Sequence, residues 1–139
     1  MIPVCPKCDA QLFSLRFKEV EVDFCERCRG LWLDAGELET LMRRTGGSAY
    51  DPLLAFQNQP GTPPRGRKSL CPRCDQTLRE VVVPRPGAEA LYLDRCPRGH
   101  GLWFDVNELR QLLVLFPPAS GATHAIALLN EVLGPVNAT

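Results

Sequence analysis

Residues 25–41 read CERCRGLWLDAGELETL, and residues 5–8 upstream read CPKC. Two Cys-x2-Cys pairs separated by sixteen residues can bring four thiolates around one ion. Zinc takes such a sulfur tetrahedron, at about 2.3 Å, in closed structural sites. Iron is the alternative, because it accepts the same four sulfurs. Between the pairs, Phe13, Leu15 and Phe17 alternate with polar residues, and so do Val20, Val22 and Phe24. Period two over two short runs predicts a β-hairpin. After the second pair, Asp34 and Glu37 make the D-x-x-E pattern of a capping box, followed by Leu38, Leu41 and Met42 on one helical face. Hairpin, two metal knuckles and a closing short helix together predict a zinc ribbon of the small α+β class.

The chain then repeats itself. Residues 71–74 read CPRC, and residues 101–112 read GLWFDVNELRQL against GLWLDAGELETL at 30–41. Seven of those twelve positions are identical. Equivalent residues lie 66 apart at the first cysteine pair and 71 apart at the Gly-Leu-Trp segment. The turn Pro84-Arg85-Pro86-Gly87, between runs at Leu78–Val83 and Ala90–Asp94, absorbs most of the extra length. Leu109, Leu112 and Leu113 repeat the inward face of the helix. Two tandem ribbons are expected, at residues 1–45 and 69–116.

The second metal site is less regular. Cys71 and Cys74 supply one knuckle, but the other holds only Cys96, then Pro97-Arg98-Gly99-His100. Gly99 falls where Cys28 stood, and His100 follows it. An imidazole reaches further than a thiol, so a one-residue shift behind a glycine allows a site of three cysteines and one histidine. The alternative is an ordinary loop histidine beside a degenerate site. With His100 included, eight donors serve two zinc ions: Cys5, Cys8, Cys25 and Cys28 at the first, Cys71, Cys74, Cys96 and His100 at the second. No cysteine is left over. The odd cysteine count opposes a complete disulfide framework, and a redox dithiol lacks its βαβ context.

Composition fits this reading. Thirteen prolines and eleven glycines divide 139 residues into short pieces. Units of roughly 40–60 residues bury too little to be comfortably stable without a staple. Residues 46–68, rich in Gly, Pro, Gln and Arg, read as a linker in which Leu53, Leu54 and Phe56 could dock on a ribbon. Residues 117–139 form a C-terminal extension, with helical spacing from Thr123 to Leu133 that stops at Gly134-Pro135. No basic-then-apolar leader opens the chain and no apolar run is long enough for a membrane span, so a cytoplasmic, reducing location is expected. Sixteen basic residues balance sixteen acidic ones. Seven thiolates and two zinc ions would leave the loaded chain about three charges negative. That disfavours non-specific nucleic-acid binding, which relies on surplus cations.

Other conspicuous residues have plain readings. Trp32 and Trp103 read as core, with a partner-facing anchor as the alternative. Asp34, Glu37, Asp105 and Glu108 read as helix caps before catalytic carboxylates. His124, Arg65, Arg67 and Lys68 read as solvated.

CPKC, a hairpin and CERCRGLWLDAGELETL resemble the bacterial zinc-finger domain that is similar to the zinc ribbon of transcription factor IIB. The resemblance covers residues 3–44 closely and 69–115 more loosely, departing at Gly99 and at Val106-Asn107. It implies that Cys5, Cys8, Cys25 and Cys28 are metal ligands, with Cys71, Cys74 and Cys96 in the second copy. The expected function is a non-enzymatic zinc-binding module that meets another protein. A nucleic-acid or transcription-associated role is the alternative, and the oligomeric state is left open.

Overall fold

The computed structural model describes residues 3–17, 20–44 and 56–115. Each copy contributes three strands and a helix. They are β1 (Phe13–Phe17), β2 (Val20–Phe24), β3 (Leu31–Asp34) and α1 (Glu37–Arg44), then β4 (Arg79–Val83), β5 (Leu91–Arg95), β6 (Gly101–Phe104) and α2 (Glu108–Leu113). The two alternating runs of each copy form its hairpin, β1 with β2 and β4 with β5. The expected C-terminal helix, together with Leu53, Leu54 and His124, lies outside the described residues. Among the described residues, no helix is long and apolar enough to cross a membrane.

The third strand of each copy carries no alternation. Leu31, Trp32 and Leu33 are all buried, as are Gly101 to Phe104. Strands covered on both faces read as continuous apolar runs. These two strands pair antiparallel with each other, giving one six-stranded sheet in the order β1-β2-β3-β6-β5-β4. In that register Trp32 lies opposite Trp103, while Leu31 faces Phe104 and Leu33 faces Leu102. A pseudo-twofold axis therefore runs between the tryptophans.

The sheet divides the interior. One face packs Val20, Val22, Leu31, Leu33, Val81, Leu93 and Phe104 against Leu38 and Leu41 of α1 and Leu109, Leu112 and Leu113 of α2. The other face holds both tryptophans with Leu12, Leu78 and the cysteines. Phe56 joins the helix-side core at 5% exposure, so the described part of the 46–68 segment docks on the sheet.

Close approach at the axis requires the glycine of each Gly-Leu-Trp. A Cβ on Gly30 would stand 2.2 Å from Trp103 Cζ2. One on Gly101 would stand 2.2 Å from the Leu33 carbonyl oxygen and 2.8 Å from Trp32 Cζ2. Neither neighbour is the free end of a flexible side chain. Gly30→Ala is expected to destabilise the zinc-loaded protein by about 1–3 kcal/mol, the usual cost of overpacking a filled core. Urea denaturation at fixed free zinc measures it; an unchanged midpoint would contradict the packing.

Candidate metal centres

Four short turns present the ligand-type residues. In the first three, the cysteine N–H closes on the carbonyl five residues on: Cys5 to Ala10 (2.7 Å), Cys25 to Gly30 (3.0 Å) and Cys71 to Gln76 (2.8 Å). Inside each, the N–H of the residue after the second cysteine returns to the first cysteine's carbonyl: Asp9 to Cys5 (3.1 Å), Arg29 to Cys25 (2.8 Å) and Asp75 to Cys71 (3.0 Å). Asp9, Arg29 and Asp75 are left-handed, with φ of 62°, 68° and 63°.

The fourth turn keeps the outer closure, Cys96 N–H to the Gly101 carbonyl at 3.1 Å. Its inner bond is one residue shorter, from Gly99 N–H to the Cys96 carbonyl at 2.9 Å. The left-handed position has moved to Gly99 (φ 78°), and a Cβ there would meet nothing closer than 3.9 Å. Conformation rather than space calls for glycine at this point. His100 then occupies the place of a left-handed residue and, although exposed, brings Nδ1 to 3.4 Å from Cys96 Sγ.

The donor atoms of Cys5, Cys8, Cys25 and Cys28 all lie within 4.8 Å of one another, and so do those of Cys71, Cys74, Cys96 and His100. All seven cysteines are unbridged. Sulfur pairs stand at 3.6 Å (Cys5–Cys28), 3.3 Å (Cys8–Cys25) and 3.6 Å (Cys74–Cys96). Backbone N–H groups of Lys7, Cys28, Arg73 and Arg98 point at Cys5, Cys25, Cys71 and Cys96 sulfur, at 3.4, 3.5, 3.3 and 3.3 Å. Burial pushes the Cys5 and Cys28 thiols up and Cys71 up to about 12. Burial opposes the Cys25 thiolate too, but the Cys28 N–H and the neighbouring Cys8 thiol bring it down to about 7. Cys5, Cys28 and Cys71 are thereby held protonated on their own. A divalent cation reverses that, since a coordinating thiol is deprotonated outright. Four sulfurs in one group, and three sulfurs with an imidazole in the other, fit zinc.

The tryptophans tie these groups to the helices. Trp32 Nε1 donates to Asp34 Oδ1 at 2.7 Å, and Trp103 Nε1 to Asp105 Oδ1 at 2.9 Å. Glu37 and Glu108 accept the N–H of Asp34 and Asp105, each at 2.7 Å. Only the glutamate arm of the expected capping box is made. The aspartates turn to the indoles instead, and α2 is entered through Asn107 in the left-handed region at φ 74°, without a side-chain cap. Gly36, its equivalent, has φ 86°. The substitution of Asn107 for Gly36 is thus between residue types that tolerate this conformation.

A further set of residues was not singled out in the sequence. Arg73, inside the CPRC knuckle, crosses to the other copy and grips Asp34 with two hydrogen bonds, Nε to Oδ1 at 2.8 Å and Nη2 to Oδ2 at 2.9 Å. It also pairs with buried Asp23. Its equivalent Lys7 crosses the opposite way to Asp94, at 2.9 Å. The readable signal was that Lys7/Arg73 and Asp23/Asp94 keep their charge type in both copies.

Glu108 shows what this burial does to a carboxyl. Burial, opposed by the Asp105 N–H and reinforced by the Asp105 charge, raises it to about 7. A carboxyl raised on folding lends stability below its unfolded value, near 4.5, and loses it as pH climbs toward 7. Glu108→Gln keeps the acceptor and removes the titration. At equal zinc saturation it is expected to match the parent near pH 4.5–5 and exceed it by about 1–3 kcal/mol at pH 8. Denaturant midpoints at both pH values check this; a constant difference would refute it.

A three-stranded unit with a closing helix and two facing cysteine knuckles, present twice, defines a tandem zinc-ribbon protein. The transcription factor zinc-finger family, of the transcription factor IIB zinc-ribbon type, matches residues 4–44 and 70–114. The chain belongs to that family, in two tandem copies, and its cofactors are two zinc ions. No curated protein and no solved structure matches it.

Proposed function

We propose that this chain is a non-enzymatic module that presents two zinc-held ribbons to another protein. In this reading Cys5, Cys8, Cys25 and Cys28 hold one ion, and Cys71, Cys74, Cys96 and His100 the other. The observation that carries it is the convergence of four protein donors at each centre. Structural zinc is closed by four such ligands, whereas catalytic zinc leaves one position to water. The partner class follows from charge. Lys7, Arg65 and Arg73 are each engaged by carboxylates of the chain itself, which leaves them poorly placed to neutralise phosphates. Seven unbridged thiols suit the reducing cytoplasm.

Titrating labelled duplex DNA and single-stranded RNA with zinc-loaded protein at low salt tests the partner class. No saturable binding is expected. Saturable binding that weakens steeply as salt is added would favour the transcription-associated alternative. Cross-linking in the native cell then identifies the protein bound.

His100→Ala tests the closed second centre. Outer-shell partners alone change metal affinity roughly 10–100-fold, so removing a ligand should cost more than that at one of the two sites. Competition against a chromophoric chelator reads it. A variant that keeps both ions as tightly, with water in the fourth position, would reopen an enzymatic reading.

A further inference from the structure

The two outer strands, β1 and β4, are equivalent in the two copies but, among the described residues, are not covered alike. Along β4 the chain lays residues 59–62. Thr62 and Glu80 exchange two backbone hydrogen bonds of 2.8 Å. The Gln59 side-chain amide serves as the next backbone unit, donating to the Val82 carbonyl at 3.0 Å and accepting the Val82 N–H at 3.1 Å. Arg79 reaches over this segment to the carbonyls of Pro60 (3.3 Å) and Gly61 (3.0 Å).

The equivalents of Arg79, Glu80 and Val82 are Phe13, Ser14 and Arg16. Cys25 gives its N–H to Gly30, on the β3 side, so Phe24 and Val22 turn theirs toward β1. Ser14 and Arg16, opposite Asp23 and Glu21, therefore direct N–H and C=O away from the sheet. Among the described residues, no backbone group pairs with them there. Open edges of this kind are templates for another strand.

We propose that β1 is the docking edge for an extended segment of a partner protein, added as a seventh strand beside Ser14 and Arg16. The inference rests on the protein-binding reading above and names where that binding occurs and what it selects. The differences between the two edges define the incoming strand. Where Arg79 grips carbonyl oxygens on β4, β1 has Phe13, 45% exposed, with Leu15 packed beside it against the helix-side core. An apolar residue fits over that strip. On the opposite face Val82 is replaced by Arg16, whose side chain is 72% exposed and 3.9 Å from Glu21. An acidic residue fits there. The partner segment alternates apolar residues toward Phe13 and Leu15 with an acidic residue toward Arg16.

The test selects a displayed library of random short peptides against the full zinc-loaded chain. Enrichment of peptides that alternate apolar with acidic residues is expected. Arg16→Pro removes one outward N–H while the bonds of Leu15 and Phe17 to β2 remain, and should weaken binding roughly tenfold or more. Arg16→Glu, at an exposed position, should shift selection from acidic to basic peptides, with an unchanged near-ultraviolet circular dichroism spectrum as the check that the sheet is kept. Peptides that bind the parent and both variants equally would place protein recognition elsewhere, sinking the edge and sparing the module. Absence of any enriched peptide also sinks the edge, and cross-linking to a partner is scored separately. Two further results overturn it by naming another occupant. One is a dimer in sedimentation that Arg16→Glu dissolves. The other is slow amide exchange at Ser14 and Arg16 in the isolated monomer that becomes fast when residues 116–139 are deleted.

Discussion

Stripping both zinc ions with excess chelator is expected to unfold the two copies together and leave no structured half. A structural zinc contributes about 10–16 kcal/mol of apparent folding free energy. The net stability of a whole small domain is about 5–15 kcal/mol, so losing either ion removes a comparable amount. The sheet makes the loss shared: β3 and β6 are hydrogen-bonded neighbours, and Arg73 and Lys7 each leave a knuckle of one copy for carboxylates of the other. Near-ultraviolet circular dichroism of Trp32 and Trp103 should vanish on chelation and return on reloading. A near-ultraviolet spectrum that survives complete removal of metal would refute the dependence.

Trp32→Ala should have the next largest effect, about 3–5 kcal/mol for a fully buried tryptophan. An indole removes roughly 150–250 Å² from water, or about 4–6 kcal/mol at 25 cal/mol per Å². That is less than one zinc site contributes, so the variant should still fold when saturated with metal. The informative part is where the damage appears. Trp32 lies opposite Trp103 and against Gly101, next to the second knuckle of the other copy. Zinc release should therefore quicken at both centres. Cobalt-substituted protein distinguishes the two by their sulfur-to-metal charge-transfer bands. Faster release confined to the all-cysteine centre would mean that the copies are energetically separate.

The hairpins, the helices and the grouping of eight donor residues were legible because each leaves a local mark. Alternation marks β1, β2, β4 and β5, and leucine spacing marks the helices. Paired cysteines mark the knuckles. The strand Leu31–Asp34 was not legible, because its alternation is erased when the helix layer covers one face and the metal layer the other. Its pairing with Gly101–Phe104 is a contact across about seventy residues, and no local pattern encodes that. The Asp34 carboxylate shows a second kind of failure. Its spacing to Glu37 suited a capping box, yet a nearby indole N–H and a guanidinium from the other copy claimed the oxygens. Local pattern yields to a tertiary partner that is charged and better placed. His100 was legible in part. The glycine before it hinted at a changed turn, but the one-residue contraction of the inner hydrogen bond is visible only in three dimensions.

The register that sets Trp32 against Trp103 also means that each ribbon is the other's binding partner, joined by covalent tether. In separate molecules that encounter would depend on dilution; here the tether fixes a constant effective concentration. The melting midpoint of the intact chain should accordingly be indifferent to how much protein is in the tube. The glycine, the tryptophan and the crossing cation recur in both ribbons, and each meets the corresponding surface of its twin.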